Sequence, residues 1–85
     1  MSFHRVVASD LEELLQLYFN LPDQQRQRRF ADTARAAEKY GVSQRTMQYW
    51  ISSGFIQAVL VGRKYKVDLE SVELYLRQCA ERREA

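Results

Sequence analysis

Residues 33–67 read TARAAEKYGVSQRTMQYWISSGFIQAVLVGRKYKV, and their punctuation decides the fold. A helix opening at Asp32 or Thr33 and closing at Tyr40 is followed by Gly41. There a left-handed C′ residue is wanted, and any Cβ would cost on the order of 1 kcal/mol. Ala36, Ala37 and Tyr40 share one face, and the small alanines let a second helix approach closely. Val42 turns inward and Ser43 caps that second helix, which runs from Gln44 to Ser52 or Ser53. Met47, Trp50 and Ile51 fall at i, i+3 and i+4 and form its buried stripe, so Gln44, Arg45, Gln48 and Tyr49 face outward.

Gly54 ends the second helix. Phe55–Val61 is β-rich, Gly62-Arg63 suits a two-residue turn, and Lys64-Tyr65-Lys66-Val67 alternates polar with apolar. This is a hairpin with a cationic tip. A lone hairpin is marginal in water, so Ile56, Val59, Val61, Tyr65 and Val67 are expected to hold it against the helices. Asp68 caps a last helix with the stripe Leu69, Val72, Leu76 and Cys79 and with Tyr75 beside it. Cys79 reads as a small core or edge residue.

Toward the N-terminus, Ser9-Asp-Leu-Glu12 matches a capping box, which predicts a helix over about 10–21, ending before Pro22. Leu11, Leu14, Leu15, Tyr18 and Leu21 recur at helical spacing, while Leu17 and Phe19 widen the apolar arc beyond what one small core covers. Two readings follow: the helix lids its own domain, or Leu11, Leu14, Leu15 and Tyr18 form a homodimer or cooperative-oligomer contact. Asp23–Arg29 reads as a polar connector, possible as a helix, whose three arginines either touch phosphate or only keep a linker soluble. The chain thus divides into an extension, 1–29, and a domain, 30–85.

Eighty-five residues allow one small core, burying about 60% of the unfolded chain's surface. With 46% hydrophobic and 28% charged residues the composition is globular. No apolar run nears the roughly 18 residues of a membrane span, so a cytoplasmic, nucleoid-associated protein is expected. One cysteine and one histidine leave no ligand set for zinc, and no cofactor is expected. An enzyme is disfavoured: His4 is near a terminus, and there is neither a Gly-rich phosphate loop nor a carboxylate pair in an apolar setting.

The net charge of +2 is segregated. Residues 1–23 carry one cation against four carboxylates (−3), residues 24–67 nine against two (+7), and residues 68–85 three against five (−2). A polyanion-binding surface therefore belongs to the middle of the chain. Gln pairs bidentately with adenine and Arg with guanine, so Gln44, Arg45 and Gln48 are the candidate base readers. Tyr49 and Thr46 suit phosphate or a thymine methyl, and Arg63, Lys64 and Lys66 suit a DNA strand or a narrow minor groove.

Residues 30–77 resemble the excisionase-like branch of the MerR-type winged helix-turn-helix superfamily. The matching positions are Ala36-Ala37, Gly41-Val42-Ser43, Thr46-Met47, Trp50-Ile51, Gly54, Gly62-Arg63 and Tyr65-Lys66-Val67. The resemblance implies a mainly α fold with a small β-hairpin, a recognition helix over Gln44, Arg45, Gln48 and Tyr49, and a wing over Arg63, Lys64 and Lys66. Ser43 belongs to the same DNA-facing set. Arg35 stands where the family usually has Glu and adds a cation near the DNA side. MerR regulators carry a dimerisation helix and an effector domain beyond the wing, whereas 18 residues follow Val67 here, so no small-molecule effector is expected. The expected function is sequence-specific binding of double-stranded DNA, as a bacterial or phage transcription regulator. The alternatives are a phage or plasmid excisionase and a winged-helix protein-interaction module.

Overall fold

The structure, a computed structural model, describes residues 3–84, with side chains described from Glu12 to Arg83. The elements in order are α1 (Phe3–Asn20), α2 (Asp23–Arg29), β1 (Phe30–Asp32), α3 (Thr33–Tyr40), α4 (Gln44–Ser52), β2 (Ala58–Val61), β3 (Lys64–Asp68) and α5 (Leu69–Glu84). The fold is the expected winged helix-turn-helix, with a three-stranded antiparallel sheet ordered β1-β3-β2. β1 had no strand signature of its own. Three residues form a strand here because β3 is already fixed by the hairpin and offers Phe30, Ala31 and Asp32 a second edge, in register with Asp68, Val67 and Lys66.

Strand residues alternate between faces, and the register aligns Ala31, Val67 and Ala58 in one row. That row meets Ala36, Ala37, Met47, Ile56, Leu69 and Val72, with Trp50, Ile51, Tyr75 and Leu76 packed around them. Met47, Val67 and Val72 are fully buried, each worth about 1.5–3 kcal/mol of transfer free energy. On the opposite face, Phe30 and Val59 bury against Leu14, with Leu17, Tyr18, Leu21 and Val61 around them. The sheet is the middle of three layers, with α1 on one side and the helix-turn-helix on the other.

This packing corrects several expectations. Helix α1 begins at Phe3, so Ser9 lies inside it and does not cap it. Leu14 and Tyr18 are spent on their own domain, and the Tyr18 ring meets Phe30 edge-on at 5.1 Å. Leu14 is buried there and so withdrawn from a partner surface, while Tyr18 is partly buried. Leu15 and Phe19 face outward, at 38% and 60% exposure, and the side chain of Leu11 lies outside the described set.

The connector is helical, and two of its arginines serve the framework. Arg26 folds back on the C-terminus of α1, its guanidinium donating to the carbonyls of Tyr18 (2.6 Å), Leu21 (2.8 Å) and Phe19 (3.3 Å). Those carbonyls would otherwise lack partners at a helix end. Arg29 pairs with Asp68, which raises the guanidinium pKa, and Arg28 is exposed.

β2 is shorter than expected, starting at Ala58. Phe55 closes the end of α4, and the Gln57 carbonyl accepts from Asp68 N–H at 2.9 Å. Tyr65, expected to pack inward, is 44% exposed, because it lies toward the hairpin tip beyond the reach of the core.

Candidate nucleic-acid interface

The two helices of the motif are fixed by local chemistry. Asp32 caps α3, its Oδ1 accepting from Arg35 N–H at 2.8 Å, and Ser43 Oγ caps α4 by accepting from Thr46 N–H at 3.0 Å. Gly41 closes α3 at φ 69°, and its own amide and that of Val42 donate to the carbonyls of Glu38 and Ala37. A Schellman closure of this kind turns the chain sharply into α4. On the far side, Tyr40 ties the motif to α5. Its hydroxyl donates to Glu73 Oε2 at 3.0 Å, and burial, then this bond, push its pKa up to about 12.

With Met47 buried and Trp50 and Ile51 packed against the core, Gln44, Arg45, Gln48 and Tyr49 are all exposed. The wing turns at Gly62-Arg63, where only Gly62 has positive φ (64°), the pattern of a type II′ hairpin. The exposed Arg63 and Lys64 therefore project from its tip. Between α4 and the wing lies a cleft of about 330 Å³ lined by Asp32, Thr33, Ala34, Gln44, Gln48, Arg63, Lys64 and Tyr65.

The structure thus brings Gln44, Gln48, Arg63 and Lys64 to one cleft and leaves Arg45 and Tyr49 on α4 outside its lining. Lys66 is half-buried between Asp32 and Val59 in register and does not line the cleft. Arg35 is exposed on α3. Ser43 and Thr46 are joined, the Ser43 hydroxyl donating to Thr46 Oγ1 at 3.0 Å, so both first serve the helix start.

Thr33, Ala34 and Tyr65 are cleft residues that sequence reading did not select. For Tyr65 the only available signal was alternation, which pointed to the core. Asp32 places a carboxylate in a cationic cleft because the α3 cap requires it there.

Among the described residues there is no group of three or more His, Cys, Asp or Glu able to hold a metal, and no helix long and apolar enough to cross a membrane. A family model described as a helix-turn-helix domain matches residues 32–80, more than half of the chain. Neither the curated proteins nor the solved structures compared with the chain give a match. The matched span holds both helices, the Gly41 turn, the cleft and the wing, and on this basis the chain belongs to the helix-turn-helix domain family, in its excisionase-like branch, and is a small protein that binds double-stranded DNA.

Proposed function

We propose that the protein is a sequence-specific transcription regulator that lays α4 in the major groove and its wing on the adjoining backbone or minor groove. One observation carries this reading: the cleft sets the amides of Gln44 and Gln48 opposite the cations of Arg63 and Lys64. The glutamines, with Arg45, read base edges. Arg63 and Lys64 hold phosphate, with Ser43, Thr46, Tyr49 and Arg35 at the margins of the same surface and Lys66 adding to its field from the other face of the wing. No reaction and no small-molecule effector are assigned, and its place is the cytoplasm, on the nucleoid.

One recognition helix covers few base pairs, so two or more copies acting together on DNA belong to this reading. Among the described side chains of α1, Leu15 and Phe19 are exposed apolar positions at which such copies would meet. An excisionase would use the same surface to bend DNA at tandem sites. The regulator is favoured by α1, a long helix layered on the wing sheet that small excisionases usually lack.

Selection from a random duplex library, followed by titration at physiological salt, tests the proposal. An enriched motif bound tighter than about 10⁻⁷ M supports it. No enrichment, with binding no tighter than about 10⁻⁴ M, sinks it.

A further inference from the structure

The flank of α4 away from the wing ends in two open aromatic rings. Tyr49 is 60% exposed and Phe55 45% exposed. Their positions are fixed. The Phe55 amide donates to the Trp50 carbonyl at 3.0 Å, closing α4, and its ring stacks on Tyr75 at 5.3 Å and 11°. Tyr75 meets Trp50 edge-on at 5.2 Å, and Trp50 packs on the core. Tyr49 meets Phe55 edge-on at 6.0 Å. A hydrophobic contact of this sort commonly accompanies a Schellman closure, which explains why the two rings touch. It leaves unexplained why so much of both stays open to water.

The turn of the helix explains the placement. At about 100° per residue, Gln44 and Gln48 face the wing while Arg45 and Tyr49 lie on the other flank, and Phe55 extends that flank. The outward surface therefore runs from the cationic wing through the two glutamines to Arg45 and on to a rigid apolar edge. Arg45 on this flank favours a polyanion beside the rings. In a major groove the one apolar feature of a base edge is the thymine C5-methyl, which aromatic rings contact well.

We propose that Tyr49 and Phe55 form a thymine-reading edge, packing on one or two C5-methyl groups at the end of the site opposite the wing. The inference rests on the reading that α4 enters the major groove. It adds apolar readout by Phe55, a residue outside the recognition helix.

The test replaces each thymine of the selected site in turn with deoxyuridine, which lacks only the methyl. Affinities are measured for the protein as it stands and for the variants Phe55→Ala and Tyr49→Ala. One or two replacements at the end away from the wing should weaken the unaltered protein by about 3–10-fold, the range of a small apolar contact. The same replacements should change Phe55→Ala by less than about 1.5-fold, and Tyr49→Ala should show a reduced ratio. The uridine-to-thymine ratio is internal to each protein, so partial unfolding of a variant does not imitate the result.

The proposal is overturned if no replacement affects the unaltered protein, or if both variants keep its full ratio. It is also overturned if the variants lose affinity equally on both DNAs together with cooperativity, which would assign the edge to a second copy. A site that is selectively bound yet insensitive to uridine removes this inference and leaves the major-groove reading standing. Absence of any selected site removes the parent reading.

Discussion

Arg29 Nε lies 2.9 Å from Oδ1 of the buried Asp68, and that same oxygen accepts the Glu70 amide at 3.1 Å. One carboxylate therefore caps α5, ends β3 and anchors α2. Removing one partner of a fully buried pair costs about 3–5 kcal/mol, and the 27% exposure of the Arg29 side chain reduces this. Arg29→Ala is expected to lower stability by about 2 kcal/mol in urea denaturation. Asp68→Ala should lose somewhat more because the cap goes with it, and Asp68→Asn less because an acceptor remains. An Arg29→Ala loss under about 0.5 kcal/mol would refute the anchor.

Arg26 fastens α1 through three backbone carbonyls. Hydrogen bonds from a charged donor are worth about 1.5–3 kcal/mol, less where partly exposed. Arg26→Ala should cost about 1–2 kcal/mol and loosen α1 in hydrogen exchange. Arg26→Lys should fail to restore it, since a single ammonium cannot span the carbonyls a guanidinium fork reaches.

Gly41 holds φ 69° with open space where a Cβ would stand, so substitution there meets conformational strain and no clash. Gly41→Ala is expected to cost about 1 kcal/mol, and Gly41→Asn clearly less, because Asn tolerates the left-handed region. Thermal unfolding of the pair gives the comparison. An alanine variant as stable as the parent would show that the turn relaxes.

The pKa of Tyr40 is raised from 10.0 to about 12. Because the folded value lies above the unfolded one, its contribution to stability is complete below about pH 10 and is lost as pH rises through about 12. Phenolate absorbance should show late-titrating tyrosines, since the Tyr75 pKa is raised as well, first by its hydrogen bond with Cys79, and Tyr40→Phe should remove one tyrosine's share of that late absorbance. A late amplitude undiminished in Tyr40→Phe would take the shift away from Tyr40.

Arg63 and Lys64 line the cleft, whereas Arg26 is bound to backbone. If both wing cations meet phosphate, Arg63→Ala and Lys64→Ala should each flatten the plot of log K against log salt by about 0.9. Lys66→Ala should flatten it by less than half as much, and Arg26→Ala should leave the slope unchanged. Equal slopes for all four variants would displace the contact from the wing.

The helix-turn-helix was legible in the sequence because its determinants are local. Asp32 and Ser43 cap within three residues, Gly41 sets one φ, and Met47 with Trp50 and Ile51 defines a face by spacing alone. The outward set Gln44, Arg45, Gln48 and Tyr49 followed from that same periodicity. The turn at Gly62-Arg63 was equally local.

Only the tertiary structure decided which arginines are structural, since the partner of Arg29 lies 39 residues away and Arg26 acts through carbonyls that carry no sequence signal. It alone made Phe30–Asp32 a strand, because an edge supplied by β3 and not propensity forms it. It also sorted the apolar positions of α1, turning Leu14 and Tyr18 onto the sheet and Leu15 and Phe19 to water. Sequence fixes which residues share a helix face; which part of a wide apolar face is covered depends on the width and placement of the surface it meets.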